Sequence, residues 1–476
     1  MKRRKLLKQL GWGLSAGWAL PPLMTACESS DELGPEVPFD GNVVIIGAGA
    51  AGLYTAEILN AKGIKVTMLE ASGQVGGRIR SLRNQPDLVN ISVADFPVEL
   101  GAEVIYGSDS IWGTNLKNFR IPTVELAGVS TDRFILDNTA KTAEEWQSDG
   151  DFVAAQSFVE GLAGNSGSAL SVAQAAAGLP SRVTRLVNSQ VGNFFGASNE
   201  LMGINGIAED LNLRPHDGKA LVIKNNPMQD FLISRFDLVS GFIKLNTPVT
   251  SINYASDPII ITDANGGQTE ASKVVVTVPV SILKKNLISF TPGLPSGKTT
   301  ALGRIGMGAS IRVVMDFKKN FWGENTGFIW GSEFAPVCFN GGVGRGELFQ
   351  TLSITINGTK AEELSPLGPD MINLILGELD TIYGGQATQF VRRDLNTDQI
   401  LFIIQDWNKE EYIQGGYSYL TPSATMEDRA NLGQSINNKL FFAGEATAIS
   451  GDAGNINGAL ASAERVALEI IESITG

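Results

Sequence analysis

Gly47-Ala48-Gly49-Ala50-Ala51-Gly52 sets three glycines at the spacing G-x-G-x-x-G, directly after the apolar run Asn42-Val43-Val44-Ile45-Ile46. This is chemistry done by backbone. Gly47 permits a tight turn, Gly49 lets the chain approach a pyrophosphate, and Gly52 lets a helix pack close to a strand. The N–H groups opening that helix are free to bind phosphate oxygens. Glu70 follows Gly52 by 18 residues and can accept from both hydroxyls of a ribose. An acid there disfavours a 2′-phosphate. The elements that must hold these groups follow from patterning. The β-branched run at 42–46 predicts a buried strand, Leu53 to Lys62 a helix, and Ile64 to Leu69 a second strand. A dinucleotide site in a β–α–β unit is the result.

Other chemistries are excluded by count. Among 476 residues there is one His, His216, and two Cys. That rules out a multi-His metal site, a Cys-rich zinc module and a disulfide scaffold. A net charge of −13 makes nucleic acid an unfavourable partner. The first residues read as a leader. Lys2-Arg3-Arg4-Lys5 carries a twin-Arg pair, and the apolar stretch from Leu10 to Met24 is too short and too interrupted to span a membrane. Thr25-Ala26-Cys27 resembles a bacterial lipoprotein cleavage box. Removing residues 1–26 deletes five Lys/Arg and no acid, taking the net charge to −18. Residues 27–41 then read as a tether, and the chain as an exported lipoprotein, periplasmic or at the cell surface, held to the membrane only through a lipid on Cys27.

Downstream, Ala71-Ser72-Gly73-Gln74-Val75-Gly76-Gly77-Arg78 resembles the extension of the glycine motif in flavin amine oxidases. Further segments resemble that family in the same order: Glu99-Leu100-Gly101-Ala102-Glu103; Val249; Pro292-Gly293-Leu294-Pro295-Ser296-Gly297-Lys298; Trp407; Gly415-Gly416-Tyr417-Ser418-Tyr419; and Ala443-Gly444-Glu445-Ala446-Thr447 with Asn457-Gly458-Ala459. The resemblance implies a non-covalent FAD touched by Gly47, Gly49, Ala51, Gly52, Glu70, Ala71, Gly76, Gly77, Arg78, Gly101, Ala102, Val249, Trp407, Gly444, Glu445, Asn455 and Ile456. In relatives with a covalent link, a Cys stands where this chain has Gly416. From Ile456 to about Ile474 the sequence reads as an amphipathic helix. Its start could aim N–H groups and dipole at a ligand, or simply carry an Asn cap. The resemblance makes that ligand the N1–C2=O edge of the flavin, where electron transfer places negative charge.

For the reacting face, the resemblance implies Lys298 beside flavin N5 and Tyr417 as one of two aromatic walls flanking an amine. The second wall should stand at 455, where this chain has Asn. It is missing, or it is supplied by Tyr419, Tyr106 or Trp112. Glu103 would attract an amine and repel a carboxylate if it faces the substrate, and serves equally well as a structural acid. The resemblance also implies that an amino-acid oxidase would carry an Arg shortly after Gly101-Ala102; none follows closely here, which weighs against a carboxylate-bearing substrate.

The fold implied is α/β. A Rossmann-like FAD domain (42–107, 228–292 and 430–476) is interleaved with an α+β substrate domain (108–227 and 293–429). The latter has long strands at Gly306 to Phe317, Leu348 to Ile356 and Ile400 to Trp407, with helices from Ala154 to Gly178 over the pocket. The function implied is oxidation of a small amine at its C–N bond, with O2 or another acceptor taking the electrons. The alternatives are an amino-acid oxidase or C–C desaturase, and a surface lipoprotein that carries FAD without catalysis.

Overall fold

A computed structural model describes residues 36–88, 91–346 and 350–476. The leader, Cys27 and most of the tether lie outside the described residues. The tether's last residues belong to the folded body: Val37 is buried, its N–H bonds to Lys62 O at 2.9 Å, and Phe39 packs on the core.

The strand Asn42–Ile46 forms where expected and lies in the middle of a five-stranded parallel sheet. The order is Leu440–Phe442, Lys273–Val276, Asn42–Ile46, Lys65–Leu69, Ile243–Lys244. Val44 stands opposite Val274 on one side and Thr67 on the other. Alternate side chains enter two different cores. Val43 and Ile45 pack with the helices Ala50–Ala61 and Ile456–Thr475. Val44 and Ile46 pack with Val249, Ile252, Ile259 and Ile261 of a four-stranded sheet. A parallel strand covered on both faces gains nothing from polar alternation, so its sequence is an unbroken apolar run. The helix begins at Ala50, three residues before Leu53, because Gly49 already serves as its cap. A Cβ on Gly52 would stand 2.0 Å from Gly47 O, so only glycine admits this helix-to-turn packing.

A second body is built on a seven-stranded sheet. Its order is Phe402–Asp406, Ser310–Asp316, Thr351–Asn357, Val337–Asn340, Thr326–Trp330, Thr131–Leu136, Thr139–Lys141. All neighbours are antiparallel except the Thr326–Trp330 and Thr131–Leu136 pair. The helix Met371–Tyr383 covers one face through Ile372, Ile375, Leu376 and Leu379.

Two expectations need correction here, and a third lies partly outside the described residues. The strand expected from Gly306 to Phe317 is two strands, Ile305–Met307 and Ser310–Asp316. Gly308 separates them, with its Cα so close to Gly196 O that no side chain fits. Of Leu348 to Ile356, the described strand is Thr351–Asn357, since 347–349 lie outside the described residues. The helices Gly150–Glu160 and Val172–Ala175 form, but they pack with Trp146, Val183 and Leu186 in a separate core and line neither of the two cavities between the bodies. Among the described residues, no helix is long and apolar enough to cross a membrane.

The two bodies meet where Trp407, just past the strand Phe402–Asp406, donates its Nε1–H to Leu100 O at 3.1 Å.

Candidate functional site

A groove of about 500 Å³ runs between the two bodies, from the glycine turn to the start of the helix Ile456–Thr475. Gly47 opens it with φ +108°, a conformation available to glycine. At its middle, Gly101 is pressed against the neighbouring loop. A Cβ there would lie 1.9 Å from Arg78 O and 3.2 Å from the Trp407 ring. The wall is therefore main chain at the points where a planar ring system or a pyrophosphate must come close.

Glu70 is buried in this wall. Its carboxylate accepts from Ala48 N at 2.7 Å, Ser72 N at 2.9 Å and the Ser72 hydroxyl at 2.8 Å. A carboxylate offers about four acceptor sites. Three are spent on holding the turn, which leaves room for about one strong ribose hydrogen bond rather than two. Arg78 lines the groove as expected, but its Nη1 is committed to Gly416 O at 2.7 Å and Glu445 Oε1 at 2.9 Å. Glu445 in turn accepts from Ser418 Oγ at 2.6 Å and Gly454 N at 2.9 Å. Burial alone would push its carboxyl up; Arg78 and Arg429 hold it below the ordinary range. Arg78 and Glu445 thus tie three loops together beneath the groove.

The helix Ile456–Thr475 points its first turn into the groove. Asn455 caps it, accepting from Asn457 N at 2.8 Å and Gly458 N at 3.3 Å. Cap and ligand-facing dipole coexist. The Ile456 N–H has no acceptor among the described residues, and both Asn455 and Ile456 line the groove.

A smaller chamber of about 150 Å³ opens from the groove through a shared wall of Ala102, Arg312, Thr355, Tyr417, Gly454, Asn455 and Ile456. Tyr106, Trp112, Phe194, Phe195, Phe328 and Phe339 line the rest. Tyr417 is fixed by Gly196, whose missing Cβ would stand 2.6 Å from its ring. The Tyr106 ring meets Phe194 edge-on at 5.9 Å, and burial, with Tyr417 nearby, pushes the Tyr106 hydroxyl above its ordinary range. Two buried polar atoms of the lining residues have no partner among the described residues: Trp112 Nε1, a donor, and Asn357 Oδ1, an acceptor.

The structure brings together most of the residues expected from the sequence. Gly47, Gly49, Ala51, Glu70, Ala71, Gly76, Gly77, Arg78, Gly101, Ala102, Val249, Trp407, Gly444, Glu445, Asn455, Ile456 and Tyr417 line the groove; Glu103, Tyr106 and Trp112 line the chamber. Gly52 stands behind the wall as a packing glycine. Tyr419 lies in neither cavity. It pairs with Gly306 across two strands, and its ring occupies the space a Cβ on Gly306 would need.

Lys298 also lies in neither cavity. The turn at Pro295 starts the helix Ser296–Arg304, which aims Lys298 at its packing partner, the helix Met426–Gly433. Nζ donates to Leu432 O at 2.6 Å and sits 3.8 Å from the Phe442 ring centre. Ring and carbonyl favour the ammonium, but burial and the nearby Arg465 outweigh them and pull the pKa down to about 7.

The buried cation at the junction of groove and chamber is instead Arg312. It donates to Gly101 O at 2.9 Å, Ser353 Oγ at 2.9 Å and Glu103 Oε2 at 3.1 Å. Arg345 takes the other oxygen of Glu103 at 2.9 Å. Glu103 is therefore a structural acid shared by two arginines. The signal for Arg312 was present: a charged residue inside the buried run Ser310-Ile311-Arg312-Val313-Val314-Met315 is uncommon without a paired partner.

Comparison with known proteins agrees with this geometry. The family model described as flavin containing amine oxidoreductase matches residues 50–213 and 185–471. The chain is 26% identical to lysine-specific histone demethylase 1 homolog 3 of Arabidopsis thaliana over 92% of its length, but spans only 30% of that protein. For two further demethylase homologues of that plant the share is 59% and 50%. It is 24% identical to probable polyamine oxidase 4 of the same plant, covering 85% of this chain and 82% of that one. In fold it resembles cyclohexylamine oxidase from Brevibacterium oxydans, with TM-score 0.73 and 19% identity over 92% of this chain and 100% of that one. A putrescine oxidase aligns equally well, with TM-score 0.73 and 18% identity over 91% of this chain and 99% of that one. The cofactor is FAD, and it is held non-covalently: Gly416 precedes Tyr417, while Cys338 and His216 line neither cavity. The chain belongs to the family of flavin-containing amine oxidoreductases.

Proposed function

We propose that this protein oxidises the C–N bond of a small amine to an imine, which water hydrolyses, with O2 or another acceptor finally taking the electrons. One observation carries the reading. A glycine-walled groove and an aromatic chamber share a wall at Tyr417, Asn455 and Ile456. When bound, FAD supplies the acceptor for a hydride from the substrate carbon. The chain's own residues bind, orient and dry the reactants. Tyr417 and Tyr106 offer π-faces to the entering cation. Phe194, Phe195, Phe328 and Phe339 exclude water, which disfavours the charged form of the amine and leaves the nitrogen lone pair free. The positive end of the helix Ile456–Thr475 faces the place where negative charge gathers. Arg312 acts as a positioning residue, holding Gly101 and Glu103 against the groove.

Product analysis tests this reading. Holoenzyme incubated with a panel of primary amines, in air and in the presence of an added electron acceptor, should release ammonia and the matching carbonyl compound in equal amounts. Absence of both with every amine would overturn it. We also propose export and lipid attachment at Cys27, on the leader pattern alone. A Cys27→Ser variant should leave the membrane fraction; unchanged membrane association would refute the anchor.

A further inference from the structure

The chain's one histidine, His216, lines neither cavity, yet its ring is fully engaged. It lies between the helix Ile204–Leu213 and the strand Ala220–Ile223. Room for the imidazole comes from Gly107, with φ +87°, where a Cβ would collide with the ring. The next residue is pinned to the same loop. The Asp217 carboxylate accepts from Ser108 N at 2.9 Å and Ser108 Oγ at 2.6 Å, and Asp217 N donates to Asp109 at 2.9 Å. Nδ1 of His216 accepts from Gly218 N at 3.1 Å, so a neutral ring carries its proton on Nε2. Nε2 donates to Asp452 Oδ1 at 2.9 Å. The two side chains are 1% and 4% exposed, so neither has bulk water as an alternative partner.

Asp452 belongs to the turn that enters the helix Ile456–Thr475. That turn has little freedom. A Cβ on Gly451 would strike the Arg214 backbone, and one on Gly458, in the first turn of the helix, would strike Asp452 O. Gly454 N donates to Glu445, the acid beneath the groove. Asp452 Oδ1 receives a second donor, Asn455 Nδ2, at 3.4 Å, while Asn455 Oδ1 caps the helix through Asn457 N and Gly458 N. An amide bound at both ends has one orientation. A line of contacts thus runs from His216 through Asp452 and Asn455 to the helix start, and ends in the groove wall at Ile456.

We propose that His216 is a positioning residue: through Asp452 and Asn455 it holds the positive end of the helix Ile456–Thr475 toward the bound flavin and so favours the reduced cofactor. The field of a helix end falls off within its first turn, so a small displacement of that turn is felt. Without the imidazole, the long bond from Asn455 is what remains on Asp452 Oδ1 among the described residues. The buried carboxylate then draws the amide toward itself and away from the cap. This concerns the bound FAD and requires no particular substrate.

The test is a reduction equilibrium. Holoenzyme is reduced stepwise without oxygen, in the presence of a reference dye and with no amine, and the two absorption bands are followed together. His216→Asn and His216→Gln differ in reach. The Asn amide stands near the place of Nδ1 and stops short of Asp452; the Gln amide reaches the place of Nε2 and can donate to it. His216→Asn should shift the equilibrium toward oxidised flavin roughly two- to tenfold, the range of a charge interaction at a helix end. His216→Gln should stay with the wild type. Flavin content and melting temperature report the folding of each. Asn455→Ser keeps a capping hydroxyl but cannot reach Asp452, so it cuts the same line at its other end and should shift the equilibrium in the same direction. It decides the matter by itself if His216→Asn fails to hold flavin. The double variant should shift no further than the larger single one, since both changes break one line of contacts. A wild-type equilibrium in flavin-loaded His216→Asn or in Asn455→Ser, equal shifts in His216→Asn and His216→Gln, or additive shifts in the double variant would overturn the inference. Because no amine is present, a protein that shows the predicted pattern but oxidises no amine would lose the proposed function and keep this role for His216.

Discussion

The cofactor groove is walled mainly by backbone, and the chamber beside it by side chains. At the groove's turns the decisive atoms are Gly47 O, Arg78 O and the Ile456 N–H, set by glycines that let strands and loops touch. In the chamber they belong to Tyr106, Phe194, Phe328, Phe339 and Tyr417, drawn from five separate stretches of chain. The two regions should therefore fail differently. Damage to the groove should cost FAD and stability together. Damage to the chamber should leave FAD in place and alter what is turned over.

The junction should be the most sensitive point, because Arg312 serves both regions. Arg312→Leu leaves Glu103 buried with only Arg345 opposite, and breaking such a pair costs about 3–5 kcal/mol. Denaturant unfolding of the holoenzyme measures it; a loss under 1 kcal/mol, by the same standard, would mean that Arg345 alone suffices. Within the groove, Gly52→Ala forces a methyl against Gly47 O, an overpacking cost of about 1–3 kcal/mol. The flavin-to-protein ratio after purification should fall with it. Full flavin occupancy in this variant would show that the turn tolerates the shift. In the chamber, Tyr417→Leu should keep FAD and lower kcat/KM for the best amine by about tenfold, within the ~0.5–2 kcal/mol of a cation–π contact. Loss of flavin instead would erase the distinction between the two regions.

The smallest effect is expected at Lys298, outside both. Lys298→Met should retain flavin and turnover. Only the pH dependence of stability should change. Burial depresses the folded-state pKa to about 7, so above that pH the unfolded chain holds a proton the folded chain has released. Raising the pH therefore stabilises the wild type relative to the variant. The gain is about 1 kcal/mol between pH 7 and 8, continuing until the ordinary lysine pKa is reached. A difference independent of pH would mean that Lys298 stays charged in its Phe442 pocket.

The same contrast explains what could be read from the chain. The groove is encoded locally. Gly47 to Gly52, the apolar run before it and Glu70 after it fall within thirty residues, and their spacing carries the geometry. The C-terminal helix was legible for the same reason, its apolar face and Asn cap being adjacent in sequence. The chamber is assembled by topology. Nothing near Tyr417 announces that Tyr106 will stand beside it, and nothing near Gly101 announces Arg312. Lys298 shows the hazard in reverse. Its Pro-rich frame matched a pattern, yet the helix it starts turns the side chain toward Leu432 O and away from the groove. Arg312 could have been flagged by type, as a charge inside a buried strand, but its partners lie more than forty residues distant at the nearest.

The central claim is that an amine in the chamber gives its electrons to FAD in the groove. Anaerobic mixing of the holoenzyme with a panel of primary amines and amino acids tests it most directly. The account predicts that the oxidised-flavin absorption band bleaches with at least one of them and returns when O2 or an added acceptor is admitted. No bleaching with any compound, in a protein whose flavin dithionite still bleaches, would contradict it.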